Sequence, residues 1–283
     1  MSGRLSDVEG RIDTVHKLAS VISAMRGIAA ARAQEARAHV EGIRTYARTI
    51  GEGISLALSL QDVAPATASG AAEGGRAVIL IAAEQGFVGT YNERVFDAAE
   101  PLLKDARALF ILGDRGLLVA DEKGLTVDWS AAMISHPGQV PGLATRLTEA
   151  IFAPIAGGQL GEVVIVQALP GGSGELEVVT RSLVPFDYSR FPPPAPGSRP
   201  MLTLPPARLL ANLVEEYIFS ELAEALMLAF EAENEARMRA MIAARANVME
   251  TLGTLVSESR RLRQDEITDE IVELAAGASA VVR

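Results

Sequence analysis

The chain has no cysteine. That excludes disulfides, thiolate metal sites and cysteine nucleophiles, and leaves the redox compartment open. Aromatic residues make up only 5%. Lysine is confined to Lys17, Lys104 and Lys123, and histidine to His16, His39 and His136. The histidines are scattered and share no metal-ligand spacing with carboxylates. No apolar run reaches the ~20 residues that cross a bilayer, and Met1 to Arg11 lead into an amphipathic helix where a leader would carry an apolar core. The reading is a soluble or peripheral protein. No GxGxxG, GxxxxGK[ST] or GxSxG pattern occurs, so phosphate cradles and a nucleophile elbow are missing.

What remains is acidic and large enough for a core. The 283 residues carry a formal charge of −10, and 49% are hydrophobic. A net negative chain binds nucleic acid poorly unless its basic residues segregate. Arg26, Arg32, Arg37, Arg44 and Arg48 do cluster in the first segment, where a solvated helix face explains them. No nucleic-acid partner, cofactor or metal is expected.

The two ends carry helical patterning. Val8, Ile12, Val15, Ala19, Ile22, Ala29, Ala33, Ala36, Val40, Ile43, Ala47, Ile50, Ile54 and Ala57 step by four and three, interrupted only at Arg26. That heptad seam predicts a helix wound on a partner helix. The other long segment starts after Pro205 and Pro206 and shows Ile218, Leu222, Ala225, Ala229, Ala232 and Ala236 at the same spacing. The pattern shifts near Ala240 and is expected to return at Ile267, Ile271, Leu274, Ala278 and Val281. At 1.5 Å per residue the two helices span roughly 80–90 and 110 Å. Paired antiparallel, the longer one should project alone at one end.

Between them the pattern changes to short branched runs. Residues 76–83, 107–113, 162–169 and 176–184 read as strands, the last two antiparallel across a turn at Gly171 to Gly174. Residues 91–104 and 143–155 read as helices. The fold class is therefore α/β plus a long antiparallel coiled coil: the N- and C-terminal helices form the coiled coil, and a central Rossmann-like domain carries a mostly parallel sheet. The expected boundaries are 1–63 for the first helix, 64–75 a linker, 76–190 the α/β domain, 191–206 a proline-rich linker and 207–283 the second helix.

Internal chemistry finds little support. Gly86 and Gly89 read as turn residues between strand and helix. The adjacent carboxylates Glu215–Glu216, Asp265–Glu266 and Asp269–Glu270 diverge by about 100° on a helix, unsuited to shared acid–base work. Residues 275–282 (AAGASAVV) are small and apolar all round. Such a helix end is either a frayed tail or a tip seated in another protein's apolar sleeve, with Arg260, Arg261, Arg263, Gln264, Asp265 and Glu266 as a charged collar.

Four segments resemble the gamma subunit of F-type ATP synthases: RLSDVEGRIDTVHKLASVISAMRGIAAAR at the start, GFVGTYN (86–92), ENEARMRAM (233–241) with Asn247, and RQDEITDEIVELAAGASA (263–280). The sequence departs from that family at Ser20 to Ser23, at Val88 and in the segment ESRRLR, as a divergent member would. The resemblance implies a central-stalk rotor with no catalysis of its own in a proton-transporting ATP synthase. Its partners would be the alpha and beta subunits, the epsilon subunit and the c ring. It would lie at the cytoplasmic face of the plasma membrane, peripheral and membrane-bound only through the complex. A sodium-translocating, mainly hydrolytic complex and a structural coiled-coil adaptor with an α/β head are the alternatives. The resemblance further implies ring-coupling contacts at Met25, Glu233, Arg237, Arg263, Gln264 and Thr268, and a bearing tip at Ala275, Ala276, Ala278, Ala280, Val281 and Val282.

Overall fold

A computed structural model describes residues 2–60, 74–171, 176–192 and 202–281, with side chains from Arg4 and, in the last helix, as far as Ala275. Most of the expected linker (64–73), the glycine turn 172–174, most of the proline-rich stretch and Val282 lie outside the described residues. The helices are α1 (Ser2–Ser59), α2 (Tyr91–Leu103), α3 (Asp114–Glu122), α4 (Val140–Ala156) and α5 (Pro206–Val281). The strands are β1 (Gly75–Ile81), β2 (Ala106–Leu112), β3 (Trp129–Ala131), β4 (Leu160–Leu169) and β5 (Glu177–Val184). The chain divides into two compact units: Met1–Ile28 with Met238–Arg283, and Ala29–Arg237.

In the larger unit the branched runs form one sheet in the order β3-β2-β1-β4-β5. The β1–β2, β1–β4 and β2–β3 pairs are parallel, and β4–β5 is antiparallel. The expected strands and their pairing are present. Two elements, α3 and β3, lie beyond the sequence expectation. A three-residue edge strand has too few positions for its period to stand out, and nine residues of helix scarcely show theirs.

Alternation along the central strands divides the core. Ala77, Ile79, Ile81, Leu112 and Ile165 share a cluster with Leu143, Leu147 and Ile151 of α4. Val78, Leu80, Leu109, Ile111 and Val166 share the other with Tyr91, Val95 and Phe96 of α2. Burying each large side chain stabilises by about 1.5–3 kcal/mol. Gly113, between β2 and α3, has φ +99°, and a Cβ there would lie 2.6 Å from the Ala82 carbonyl oxygen. Glycine alone permits that approach without strain.

Gln167 of β4 is a polar exception in this core. It is fully buried, and neither its Oε1 nor its Nε2 has a hydrogen-bond partner among the described residues. Gln167→Leu removes that desolvation cost at similar volume. It is expected to raise stability by about 1–3 kcal/mol, measured by chemical denaturation of the full chain. A loss of stability would mean that the amide is satisfied.

Within the same unit α1 and α5 run antiparallel. Arg37 donates to Glu231 and Glu235 at 2.8 and 2.9 Å, and Arg44 to Glu224 at 2.8 Å. Ala36 and Val40 of the predicted seam are buried with Leu222, Ala225 and Ala229. The seam is mostly alanine here, which lets backbones come close. From Ala225 to Arg237, α5 is buried at every position. Its earlier residues pack in the α4 cluster, whereas Ala232 and Ala236 pack in the α2 cluster.

The smaller unit is a helix pair. Val8 and Ile22 of α1 are buried, and so are Met241, Leu252 and Leu255 of α5. Ile12, Val15 and Ala19 are half-buried, as the heptad reading requires. Arg263, late in α5, donates to Glu9, early in α1, at 2.6 Å, as an antiparallel pair requires. The predicted return of the seam at Ile267, Ile271 and Leu274 is not observed: these side chains are 51%, 61% and 74% exposed. The buried face of Leu252 and Leu255 continues instead through the less exposed Ser259, Leu262 and Glu266, so Ile267 points outward. With Glu9 level with Arg263, equal rise puts the start of α1 beside about residue 270. Ile271 and Leu274 therefore lie past the end of their partner helix.

Candidate functional site

The turn between β1 and α2 is held by side chains of α2 and α5. It follows the carboxyl end of β1, next to β4, where the strand order reverses. In doubly wound sheets that crevice receives ligands. Here α5 approaches it with two charged residues that are almost fully buried, Glu233 at 3% and Arg237 at 6% exposure.

Glu233 accepts from the backbone N–H groups of Glu84 and Gln85, each at 3.3 Å, and from the Arg237 guanidinium at 2.5 Å. Arg237 also donates to the carbonyls of Gly86 and Gln85, at 3.2 and 3.1 Å, and to Asn234 at 3.1 Å. The spacing explains the pair: residues four apart on a helix share a face. A buried ion pair holds only when its remaining hydrogen-bonding capacity is also met, and the turn's backbone meets it. Burial pushes the Glu233 carboxyl above its ordinary value, opposed by Arg237 and by the two amides.

Glu84 extends the network to two further elements. Its carboxylate accepts from the backbone N–H of Met133 at 2.7 Å, after β3, and of Asp114 at 3.3 Å, opening α3. Asn92 accepts from the Ala83 N–H at 2.9 Å and closes the other side of the turn. Tyr91 is buried, and its hydroxyl donates to the Ala229 carbonyl at 3.4 Å. The turn so fixed carries Phe87 outward, 67% exposed and at φ +61°. A left-handed conformation in a bulky residue costs roughly 1–2 kcal/mol and persists only where the surroundings impose it.

The GFVGTYN and ENEARMRAM segments thus meet in space. Glu233 and Arg237 are buried there, and Arg237 is not an ordinary surface charge. Glu84 belongs to the same site, although sequence reasoning missed it. Its only mark in the sequence is a carboxylate just ahead of a glycine turn, a common arrangement.

The remaining candidates lie in the smaller unit. Met25 is half-buried, and Arg263, Gln264 and Thr268 are exposed. Arg263 pairs with Glu9, and the Thr268 hydroxyl donates to the Gln264 carbonyl at 2.8 Å. Ala275 is exposed. The α5 backbone continues helical through Ala276, Ala278, Ala280 and Val281, whose side chains lie outside the described residues, as does all of Val282. Among the described residues no cluster of three potential metal ligands occurs, and no helix is long and apolar enough to cross a membrane.

A family profile described as ATP synthase matches residues 4–281. The ATP synthase gamma chain of Parafrankia sp. (strain EAN1pec) is 29% identical over 294 residues, covering 99% of both chains. That of Frankia casuarinae is 27% identical over 296 residues, with the same coverage. In solved structures, a chain of the Euglena gracilis mitochondrial ATP synthase (OSCP/F1/c-ring, rotational state 3) superposes with a TM-score of 0.70 at 12% identity, over 99% of this chain and 95% of that one. A chain of the rotor of the same synthase gives 0.67 at 12% identity, over 94% and 100%. These two likenesses establish the fold, and the profile spans nearly the whole sequence: the chain belongs to the ATP synthase family, among its gamma chains.

Proposed function

We propose that this chain is the central-stalk rotor of an F-type ATP synthase, coupling ion flow through a c ring to ATP synthesis or hydrolysis in an alpha–beta ring. It forms no bond itself. The observation that carries this is the end of α5: Ile271, Val272 and Leu274 are exposed where the helix has outrun α1. Helical apolar surface of that kind calls for cover by another protein. Membership of the gamma chains supports an alpha–beta ring as the cover, with residues 275–282 as the tip. The solved relatives named for rotor and c ring support a c ring as a further partner, and in this reading the α/β domain docks on it with an epsilon subunit.

In this reading Met25, Arg263, Gln264 and Thr268 contact the ring from the helix pair. Glu233 and Arg237 act as positioning residues through the turn that they hold. As the rotor turns, each beta subunit meets a different face, and differential contacts shift its site between states. The translocated ion is the proton, and the complex lies on the cytoplasmic face of the plasma membrane.

Removing residues 275–283 from the complex reconstituted in vesicles is expected to reduce ATP-driven proton uptake more than ATP hydrolysis, measured by a pH-sensitive dye. Equal performance of the truncated and complete proteins would remove the bearing role. Pumping that requires sodium and survives a protonophore would overturn the proton assignment alone.

A further inference from the structure

The crevice that a doubly wound sheet offers to a ligand is filled in this protein by a carboxylate of its own chain. We infer that the turn after β1 is a carboxylate-binding site, built from the N–H groups of Glu84 and Gln85 and the Arg237 guanidinium, and that Glu233 is its resident ligand in cis.

The features are those of a binding site rather than of a chance ion pair. Two consecutive backbone N–H groups converge on one carboxylate, each at 3.3 Å. Consecutive amides arranged this way form an anion-receiving concavity. A guanidinium at 2.5 Å supplies the opposing charge, and it is also fixed on the Gln85 and Gly86 carbonyls. Arg237 is thus held by the turn as well as by its ligand, so the donor set survives removal of the Glu233 side chain. The lip is rigid, because the Glu84 carboxylate ties it to the N–H groups of Asp114 and Met133. The surroundings are apolar, with Val88, Tyr91, Ala232 and Ala236 in one cluster, and exclusion of water strengthens each of these contacts.

The ligand class follows from the donors. Two adjacent N–H groups and a guanidinium suit a planar, singly charged carboxylate. The atoms removed by truncating Glu233 to alanine match acetate, and propionate is the next larger acid. The chemistry of the turn is independent of the rotor assignment. Its mechanical consequence is that one carboxylate joins α5 to β1 and, through Glu84, to α3 and the segment after β3.

The test uses the full chain carrying Glu233→Ala, melted in sodium acetate, in sodium propionate and in sodium chloride of equal ionic strength. The variant is expected to melt below the wild type. Acetate should raise its melting temperature saturably, and propionate no more than acetate, with chloride ineffective and the wild type unresponsive. A variant that ignores the carboxylates, or that responds only as the wild type does, overturns the site. Glu233→Gln, which keeps the shape, covers the case in which the alanine variant does not fold. Its Glu84 and Gln85 amides should exchange with solvent about tenfold faster than in the wild type, with protection elsewhere in β1 retained. Unchanged protection at both amides also overturns the inference.

Discussion

Replacing Arg237 by alanine is expected to destabilise the protein by about 3–5 kcal/mol. The substitution removes one partner of a buried pair and leaves the other behind. Glu233, 3% exposed, would keep only the two amides of the turn. The carbonyls of Gln85 and Gly86 would lose their guanidinium donor as well. Lysine should restore only part of the loss, because an ammonium cannot match the planar fork. The effect also has a sign in pH. Burial holds the Glu233 carboxyl above its ordinary 4.5, and losing the cation raises it further. A carboxyl raised in the folded state favours folding while protonated, and that contribution is lost as pH rises through its folded value. The deficit of Arg237→Ala relative to the wild type should therefore be smallest below pH 4.5 and grow toward neutrality. Urea denaturation of the full chain across that range measures it. A deficit under about 1 kcal/mol at neutral pH would mean that the pair is not buried.

The second large effect belongs to the smaller unit. Ile22→Asp places a carboxylate on the α1 seam, where the native side chain is 7% exposed. Loss of apolar burial together with a buried charge should cost about 3–5 kcal/mol. Arg26, one turn further along α1, is exposed, and a solvated partner of that kind returns no more than about 1 kcal/mol. The adjacent Val21, 55% exposed, is the control. Val21→Asp should change stability by no more than about 0.5 kcal/mol. Hydrogen exchange of the α1 amides reads both variants in the same unit. Equal losses at the two positions would break the heptad assignment.

These two sites differ in how legible they are from residue order. Ile22 is recognisable because periodicity is a local property: side chains that repeat every three and four residues must share a face, whatever partner covers it. The same logic recovers four of the strands, since branched runs bounded by turn residues have few other solutions. It fails at Ile271 and Leu274, where the spacing is present but the partner helix has ended, and at Ile267, which faces outward because the buried face runs through Leu262 and Glu266. A seam requires two helices, and spacing counts only one. Glu84 leaves no periodic trace, because its partners are backbone amides of Asp114 and Met133, distant along the chain and silent as to side-chain type.

Glu233 and Arg237 stand between these cases. Their motif is visible in the sequence, and the resemblance points them toward a ring. The fold buries both against the chain's own β1 turn, so any part they take in coupling passes through that turn. A motif reports that residue types recur together, not what they touch.

Residue order alone was enough for the pairing of the two ends, the α/β middle and the exclusion of thiol chemistry, because these follow from composition and short-range repetition. Its four motifs were enough for the rotor family. The folded arrangement was needed to learn that α5 passes the turn after β1, that Glu233 and Arg237 are buried against it, and where α1 stops covering α5. Those outcomes depend on the meeting of segments far apart in the chain, as between Glu84 and Glu233, and local patterns carry no record of such closures.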